Sequence, residues 1–495
     1  MKTNRLFVLS TLLTVSFAIS AQTTFDAMKV YEEELNGTAR YVGMGGAMSA
    51  LGSDVSVIGH NPAGIGTYRQ SDINLSVSFF GTSVNTDPLV TNKTPQTVNG
   101  RTYYSHNTKS EPLVALDNAS AVLSGYMGDD SYLNFGFSYR RTLNMDRDLD
   151  YIDKFFVPDG SDPTKEYVVY REYKDRQRNK VNAFDFNLSC SLSEMLYLGW
   201  TVELLSTDAW SEGYFYDYYP AYGSADLEDK AYVVPDYADG GHDYTAADKM
   251  NSAKGTGWNM GFGLIVRPVP ALRLGAAIKT PTWFKQTLEY SDYLYAFEDN
   301  QYTNEYGEVD PFKNSVDYKF TSPWRLNLSA GFTVAQTAIG FEYEKNFTQR
   351  TSLSIGNTKM VNQGAIDLQD YSTFKVGFEQ NIDKISLRAG YNMTQSVYKD
   401  GAAIFLGDSE FNAGKQGDVG RIDFQVDRLG KRQNFTCGLG YCSEPDGDNT
   451  QFYIDVAYVH GLRNSVVNIN EYIEDVDVNY NYQTDKVLLT FGWTF

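Results

Sequence analysis

The chain has 495 residues and a net charge of −20, with 37 Tyr, 29 Phe and 42 Gly against 14 Pro and 3 Cys. The acidic balance disfavours nucleic-acid binding, which needs a basic surface, and three cysteines give no disulfide framework. Abundant aromatics and few prolines suit a β protein whose strands run uninterrupted.

Lys2 and Arg5 precede the apolar run LFVLSTLLTVSFAI, and the small residues SAQ follow. This order of basic, apolar and small residues spells a secretory signal peptide over 1–21, cut after Ala21, with Ser20 as the alternative. The run is shorter than the roughly 20 residues a spanning helix needs, and no second run of that length follows. Export without helical spans leaves a secreted β protein or a transmembrane β-barrel.

Residues 22–70 come next and contain RYVGMGGAMSALGSDVSVIGHNPAGIGTYRQ, from Arg40 to Gln70. A dinucleotide fingerprint needs three glycines spaced G-x-G-x-x-G between a buried strand and a helix. Gly43 and Gly45 fit, but Met48 occupies the third position and no buried strand precedes. The glycines suit tight turns and close backbone approach inside a barrel lumen instead. In the NPAG turn, Pro62 fixes its φ and Gly64 tolerates a positive one, while Asn61 is expected to order the turn through an Asx-type bond.

From residue 71 to 495 the pattern has a period of two, the mark of strands. Ile73, Leu75, Val77 and Phe79 alternate with polar residues. So do Phe184 to Leu192, Leu196 to Leu204, Trp258 to Val266, Trp324 to Val334, Phe435 to Tyr441 and Phe452 to Tyr458. Stripes of about nine to eleven residues match a tilted strand crossing a bilayer. Trp200, Trp258, Trp324 and Trp493 are read as girdle aromatics at stripe ends. Short connections near 127–131, 193–195, 267–271, 334–337, 381–384 and 444–449 alternate with long polar ones near 83–110, 145–180, 208–254, 297–318, 348–370, 397–431 and 463–483. Six short and seven long connections join fourteen strands. The fold class is therefore all-β: a fourteen-stranded antiparallel transmembrane barrel with both ends on the periplasmic side. The last strand, KVLLTFGWTF, ends in Phe495, which looks like the signal read by the outer-membrane barrel assembly machinery.

The GMGGA…D…NPAG pattern followed by a first strand resembles the N-terminal hatch of FadL/TodX-type outer-membrane transport proteins. LRLGAAIKTPTWF (272–284) and VGFEQNIDKISLRAGYNMTQS (376–396) resemble that family's central and late strands. The resemblance covers most of the chain, and some Bacteroidota members of the family are labelled hemin receptors. It implies a barrel plugged by residues 22–70 and passive uptake of hydrophobic molecules, such as long-chain fatty acids or aromatic compounds, in the outer membrane. Hatch movement and lateral exit into the membrane are also implied. The hatch residues it assigns are Arg40, Gly43, Gly45, Gly46, Asp54, Asn61, Pro62, Ala63 and Gly64, with Arg40 and Asp54 holding the plug or simply solvated within it. The family's lateral opening uses a kink in the third strand, here about 131–143, where Gly136 is the only glycine.

Trp210, Tyr214, Phe215, Tyr216, Tyr218, Tyr219 and Tyr222 fall in the 208–254 connection. They are read as a greasy surface for first capture of ligand, or as a loop packed on itself. Acidic residues there and at 145–162 face lipopolysaccharide or plain solvent. The DGSDP stretch at 159–163 lacks the full calcium-loop pattern. His60, His106, His242 and His460 show no metal-ligand spacing. His60 is either a haem ligand or, the favoured reading, a packing residue of the plug. The GDS at 407–409 has no His partner at useful spacing, so no catalytic residue and no cofactor is assigned. The alternative to transport is a surface receptor or structural barrel that binds a partner or haem; a hydrolase is a distant third. A closed barrel has no free edge, which favours a monomer.

Overall fold

The computed structural model describes residues 33–88, 96–98, 101–103, 106–110, 112–158, 166–218, 244–297, 312–348, 351–355, 358–360, 368–398, 427–447, 449–471 and 474–495. The signal-peptide reading of 1–21 lies outside them. So do the DGSDP and GDS stretches and His242.

One antiparallel sheet closes on itself. Its strands are β1 Asp72–Pro88, β2 Leu113–Gly128, β3 Ser131–Pro158, β4 Glu166–Leu192, β5 Leu196–Tyr218 and β6 Tyr244–Val269. Three strands in two pieces follow: β7 Leu272–Lys279 with Trp283–Phe297, β8 Phe312–Thr321 with Arg325–Val334, and β9 Thr337–Asn346 with Ser352–Ile355. The circuit ends with β10 Tyr371–Ile382, β11 Ile385–Thr394, β12 Asp427–Cys442, β13 Gln451–Glu471 and β14 Glu474–Thr494. Each pairs with the next, and β14 pairs with β1 from Asp72↔Thr494 to Pro88↔Val478, which leaves fourteen strands with no open edge.

The short connections lie at one end, and five of them are tight turns of two or three residues. Asp129 and Asp130 form a two-residue turn, and Ser193 and Glu194 open a three-residue one; all four have φ of 50–53°, the positive values that match the twist of the flanking strands. The long connections are shorter than the sequence reading has them. Residues 145–158 pair with 166–179, 208–216 with 246–254, and 463–471 with 474–482. The apolar alternation stops at the edge of the outward-facing apolar band. The backbone ladder needs no such alternation and continues outward.

The apolar stripes all face outward. Ile73, Leu75, Phe79, Phe184, Phe186, Leu198, Leu204, Phe262, Leu264, Leu328, Phe374 and Phe491 are exposed on the barrel's outer wall, whereas their neighbours Asn74, Ser76, Asp185, Asn187, Glu203 and Thr490 are buried inside. An apolar exterior around a polar interior is the arrangement of a barrel in a bilayer. Trp258, Trp283 and Trp324 mark the band's outer edge, while Tyr126, Tyr132, Phe452, Trp493 and Phe495 mark the end with the short turns. Trp200 departs from the girdle reading: it sits at mid-band, between Leu198 and Val202, where its indole faces hydrocarbon.

Candidate functional site

Residues 33–71 precede β1 and lie within the barrel. The segment contains a short helix, α1 Ala39–Gly43, and two single 3-10 turns, Val55–Gly59 and Pro62–Thr67. Each begins on a polar cap. Thr38 accepts from the Tyr41 N–H, Asp54 from the Ser56 N–H, and Asn61 from the Ala63 N–H at 3.1 Å. The last is the Asx-type bond expected of the NPAG turn. Tyr41, Val42, Met44, Met48, Val55, Val57, Ile58 and Ile65 form the segment's buried apolar core.

The barrel wall grips this segment by its backbone. Thr490 accepts from the Ala39 N–H at 2.7 Å, and Thr436 donates to the Gly43 carbonyl at 3.0 Å. Asn392 donates to Gly45, Ser189 to Pro62 and Asn134 to Ile65. These wall residues come from β14, β12, β11, β4 and β3, so the segment is held from opposite sides of the lumen.

A row of wall glycines gives the segment room to approach. Gly199, Gly263, Gly275, Gly331, Gly340, Gly377, Gly390 and Gly438 supply one residue on each strand from β5 to β12, all facing the segment. A Cβ on Gly340 would collide with the Ala47 carbonyl oxygen, on Gly377 with that of Met44, and on Gly390 with the Gly45 nitrogen. Gly331, Gly340, Gly377 and Gly390 are direct cross-strand partners in succession. On the segment's side Gly45, Gly46 and Gly52 have φ of 61°, 78° and 68°, a region open to glycine at little cost. Gly43 instead serves close approach: its Cβ would sit 3.3 Å from the Gly438 Cα. The wall row escapes sequence reasoning because one glycine per strand looks like ordinary strand punctuation until the register is known.

Ion pairs complete the grip. Arg40 makes a two-pronged contact with Glu379 at 2.8 and 2.9 Å, and Arg388 bonds the same carboxylate at 2.6 Å and also reaches Asp455. Burial opposes the charge on Arg40, but Glu379 more than compensates and raises its pKa. Asp54 works within the segment: it accepts from the Thr38 hydroxyl at 2.6 Å and from Ser56 at 2.9 Å, tying α1 to the first 3-10 turn. Arg40 therefore binds segment to wall, and Asp54 binds the segment to itself.

His60 accepts or donates at 2.6 Å to Glu344 and stacks on Tyr41 with ring centroids 5.8 Å apart. Glu342, Glu344 and His60 place three potential metal-ligand atoms within 4.8 Å of one another, a grouping invisible to linear spacing. Lys375 already supplies a cation there, 2.7 Å from Glu342 and 3.3 Å from Glu344. The cluster thus anchors the segment through ionic and polar bonds, with the Ser49 N–H also donating to Glu342 at 3.2 Å.

Glu33, the first described residue, bonds Arg325 and lies 3.2 Å from Lys279. Burial alone would raise its pKa, but Arg325 and Lys279 hold the carboxyl well below the usual range. A depressed carboxylate stabilises above the unfolded pKa and loses that contribution as pH falls through the folded value. The melting-temperature gap between wild type and Glu33→Gln is therefore expected to stay constant from neutral pH to about 5 and to shrink only below ~4.3. A gap that closes already near neutrality would contradict this pairing.

Above the segment the lumen wall changes character. Phe284 and Phe320 stack at 5.9 Å, with Leu288 and Tyr318 buried beside them. Gly257 opposite Phe284 leaves space for that ring. Cavities of about 50 and 90 Å³ flank Glu34 and Leu35. Sites for drug-sized ligands run to roughly 300–1,000 Å³, several times the size of these two spaces.

The aromatic capture residues divide. Trp210 is half-buried on β5; Tyr214, Phe215, Tyr216 and Tyr218 continue that strand, which corrects their reading as loop. Tyr219 and Tyr222 lie outside the described residues. The ladder of β3 runs unbroken through Gly136, which pairs with Val122 and Asn187 and lies close to Ile58 and Ile65. The irregularity of that strand falls between Arg141 and Leu143.

No protein-family model matches the sequence, and no curated protein is similar to it by sequence. Solved structures do share its fold. A FadL homologue from Pseudomonas aeruginosa superposes with a TM-score of 0.53 at 14% identity, covering 94% of this chain and 99% of that one. The toluene transporter TodX of Pseudomonas putida gives 0.53 at 12% identity, with 93% and 98% covered. The chain thus has the FadL-type barrel fold.

Proposed function

We propose that the protein is an outer-membrane channel for passive uptake of hydrophobic small molecules, of the long-chain fatty acid or aromatic hydrocarbon class. In this reading residues 33–71 are a hatch, Arg40, Asn61 and the paired glycines seat it, and its displacement opens the lumen. Ligand then leaves sideways into the bilayer, because an apolar molecule gains nothing from an aqueous periplasmic exit. The observation that carries the reading is the seated segment itself: a backbone held inside the lumen by glycine contacts and reversible polar bonds. A receptor or structural barrel has no evident need of such a seat. The transport named for TodX supports the same ligand class.

Uptake into liposomes holding the purified protein tests this, with a labelled long-chain fatty acid, labelled toluene and a small sugar compared. Entry of either apolar probe without sugar leak is the expected result. Sugar entry at a rate matching the apolar probes would make the protein a general porin. The aromatic outer strands and their connection are proposed to capture ligand first. Deleting 208–254 should cut apolar uptake at least fivefold while the barrel still shows heat-modifiable gel mobility. Undiminished uptake would remove capture from these residues.

Asn61 sets a smaller expectation. Losing a cap of this type costs about 1 kcal/mol, so Asn61→Ala should lower thermal stability modestly and raise basal ion leak. An unchanged leak would make the Asx bond incidental to seating.

A further inference from the structure

Three adjacent strands are interrupted at one level of the wall. Strand β7 breaks at Thr280–Pro281–Thr282, β8 at Ser322–Pro323–Trp324, and β9 between Asn346 and Ser352. Pro281 and Pro323 offer no N–H to the ladder. One backbone bond remains at each proline break, from the Thr280 N–H to Met260 at 2.8 Å and from the Ser322 N–H to Thr282 at 3.0 Å, and side-chain hydroxyls bridge the rest. Thr280 Oγ1 accepts from the Met260 N–H at 3.0 Å, Ser322 Oγ accepts from the Thr282 N–H at 2.7 Å, and Asn259 donates to Thr282 Oγ1 at 3.0 Å. The breaks also shift parity by one residue. Below them Leu274, Ile278 and Leu328 face outward; above them Trp283 is outward while Phe284, Tyr318 and Phe320 turn inward and are buried.

This places an apolar lumen patch directly beside an apolar outer rim. Phe284 and Phe320 line the inside, and Trp258, Trp283 and Trp324 stand outside at the edge of the hydrocarbon band, the first two with ring centroids 4.6 Å apart. Lys279 and Arg325 are cross-strand partners that flank the breaks, one just before the β7 break and the other just after that of β8. Glu33 of the N-terminal segment binds both.

We propose that the break across β7 and β8 is the lateral portal through which apolar ligand passes between lumen and membrane, and that Glu33 is its latch. This rests on the channel reading above and places the exit away from β3. When the segment moves and withdraws Glu33, Lys279 keeps Glu203, but the flanking pair loses a shared carboxylate. The two neighbouring cations are then drawn together by one carboxylate fewer, and the sparse bonds across the proline breaks part more readily than a continuous ladder.

Two measurements decide it. The first is hydrogen exchange in folded wild type and Glu33→Gln. Amides at 279–284 and 321–326 should exchange at least tenfold faster in the variant, with those of 131–141 unchanged. Equal rates at the breaks would overturn the latch, whatever the protein transports. The second locks the wall. In a background carrying Cys190→Ser, Cys437→Ser and Cys442→Ser, the pair Thr282→Cys and Ser322→Cys is oxidised across the break. A control keeps native Cys437 and adds Tyr458→Cys, its cross-strand partner in an unbroken part of the wall. Oxidation should cut uptake of a fluorescent long-chain fatty acid more than tenfold in the first and leave the control unchanged, with reduction restoring it. Full uptake through the oxidised break would overturn the portal. Should wild type admit none of the apolar probes, the channel reading fails, and hydrogen exchange still decides whether Glu33 latches this break.

Discussion

Gly340→Val unseats residues 44–52. Its new Cβ would occupy the position of the Ala47 carbonyl oxygen, a backbone atom that cannot rotate away. Overpacking a close contact typically costs about 1–3 kcal/mol when side chains can adjust, and here the colliding atom is backbone on both sides. Moving the segment away also breaks the Ser49–Glu342 bond and draws on the Asn392–Gly45 bond. Ser49 is buried in the seated state, so Ser49→Cys reports the displacement. Maleimide labelling of that reporter should accelerate at least tenfold when Gly340→Val is added. Gly81→Val is the control, since nothing lies near its Cβ position, and its labelling rate should match wild type. Equal labelling in all three would mean that the wall glycines do not set the segment's position.

Much of this arrangement was legible in the residues, and the reasons are physical. Side chains of a strand alternate strictly, so the stripes around Ile73, Phe186, Leu264 and Leu328 state which face meets lipid. Strand number followed from the rhythm of connections, because a hairpin barrel has two ends and only one tolerates long loops. The glycine cluster from Gly43 to Gly52 signalled close backbone approach, and Asn61 signalled its own turn. Other features depend on register, which a single sequence does not state. Glu379, 339 positions from Arg40, joins it only once β10 is placed opposite α1. The glycine row, the His60–Glu344–Lys375 anchor and the breaks at Pro281 and Pro323 are cross-strand facts of the same kind. The inversion from Ile278 outward to Phe284 inward is present in the sequence as a three-residue slip around Pro281. It is visible only to a reader who asks why a strand should change phase.

Glu379→Gln should destabilise the seated state more than any other single change of a polar residue in this network. Glu379 is buried and accepts from Arg40 and Arg388 together. Removing one partner of a buried ion pair costs about 3–5 kcal/mol, because the remaining charge stays without compensation. Here Arg388 would keep Asp455, and Arg40 would be left with only the longer-range charges of Asp54 and Asp455. The expected outcome is fast labelling of the Ser49→Cys reporter and a lower melting temperature. Adding Arg40→Met to Glu379→Gln removes the surplus cation and leaves Arg388 with Asp455, so thermal stability should recover by roughly half or more while labelling stays fast. Stability that falls further in the double variant would show that Arg40 contributes through some contact other than Glu379, for example its 2.8 Å bond to the Ser53 carbonyl.

The most direct measurement is the ion current through single barrels in a planar bilayer, wild type beside Gly340→Val. On the channel reading proposed above the seated segment closes the lumen to water, so wild type should be nearly silent and the variant should conduct in large, ohmic steps. A wild type that conducts as fully as Gly340→Val would mean that residues 33–71 do not close the barrel, and the account of a gated hydrophobic channel would fall with them.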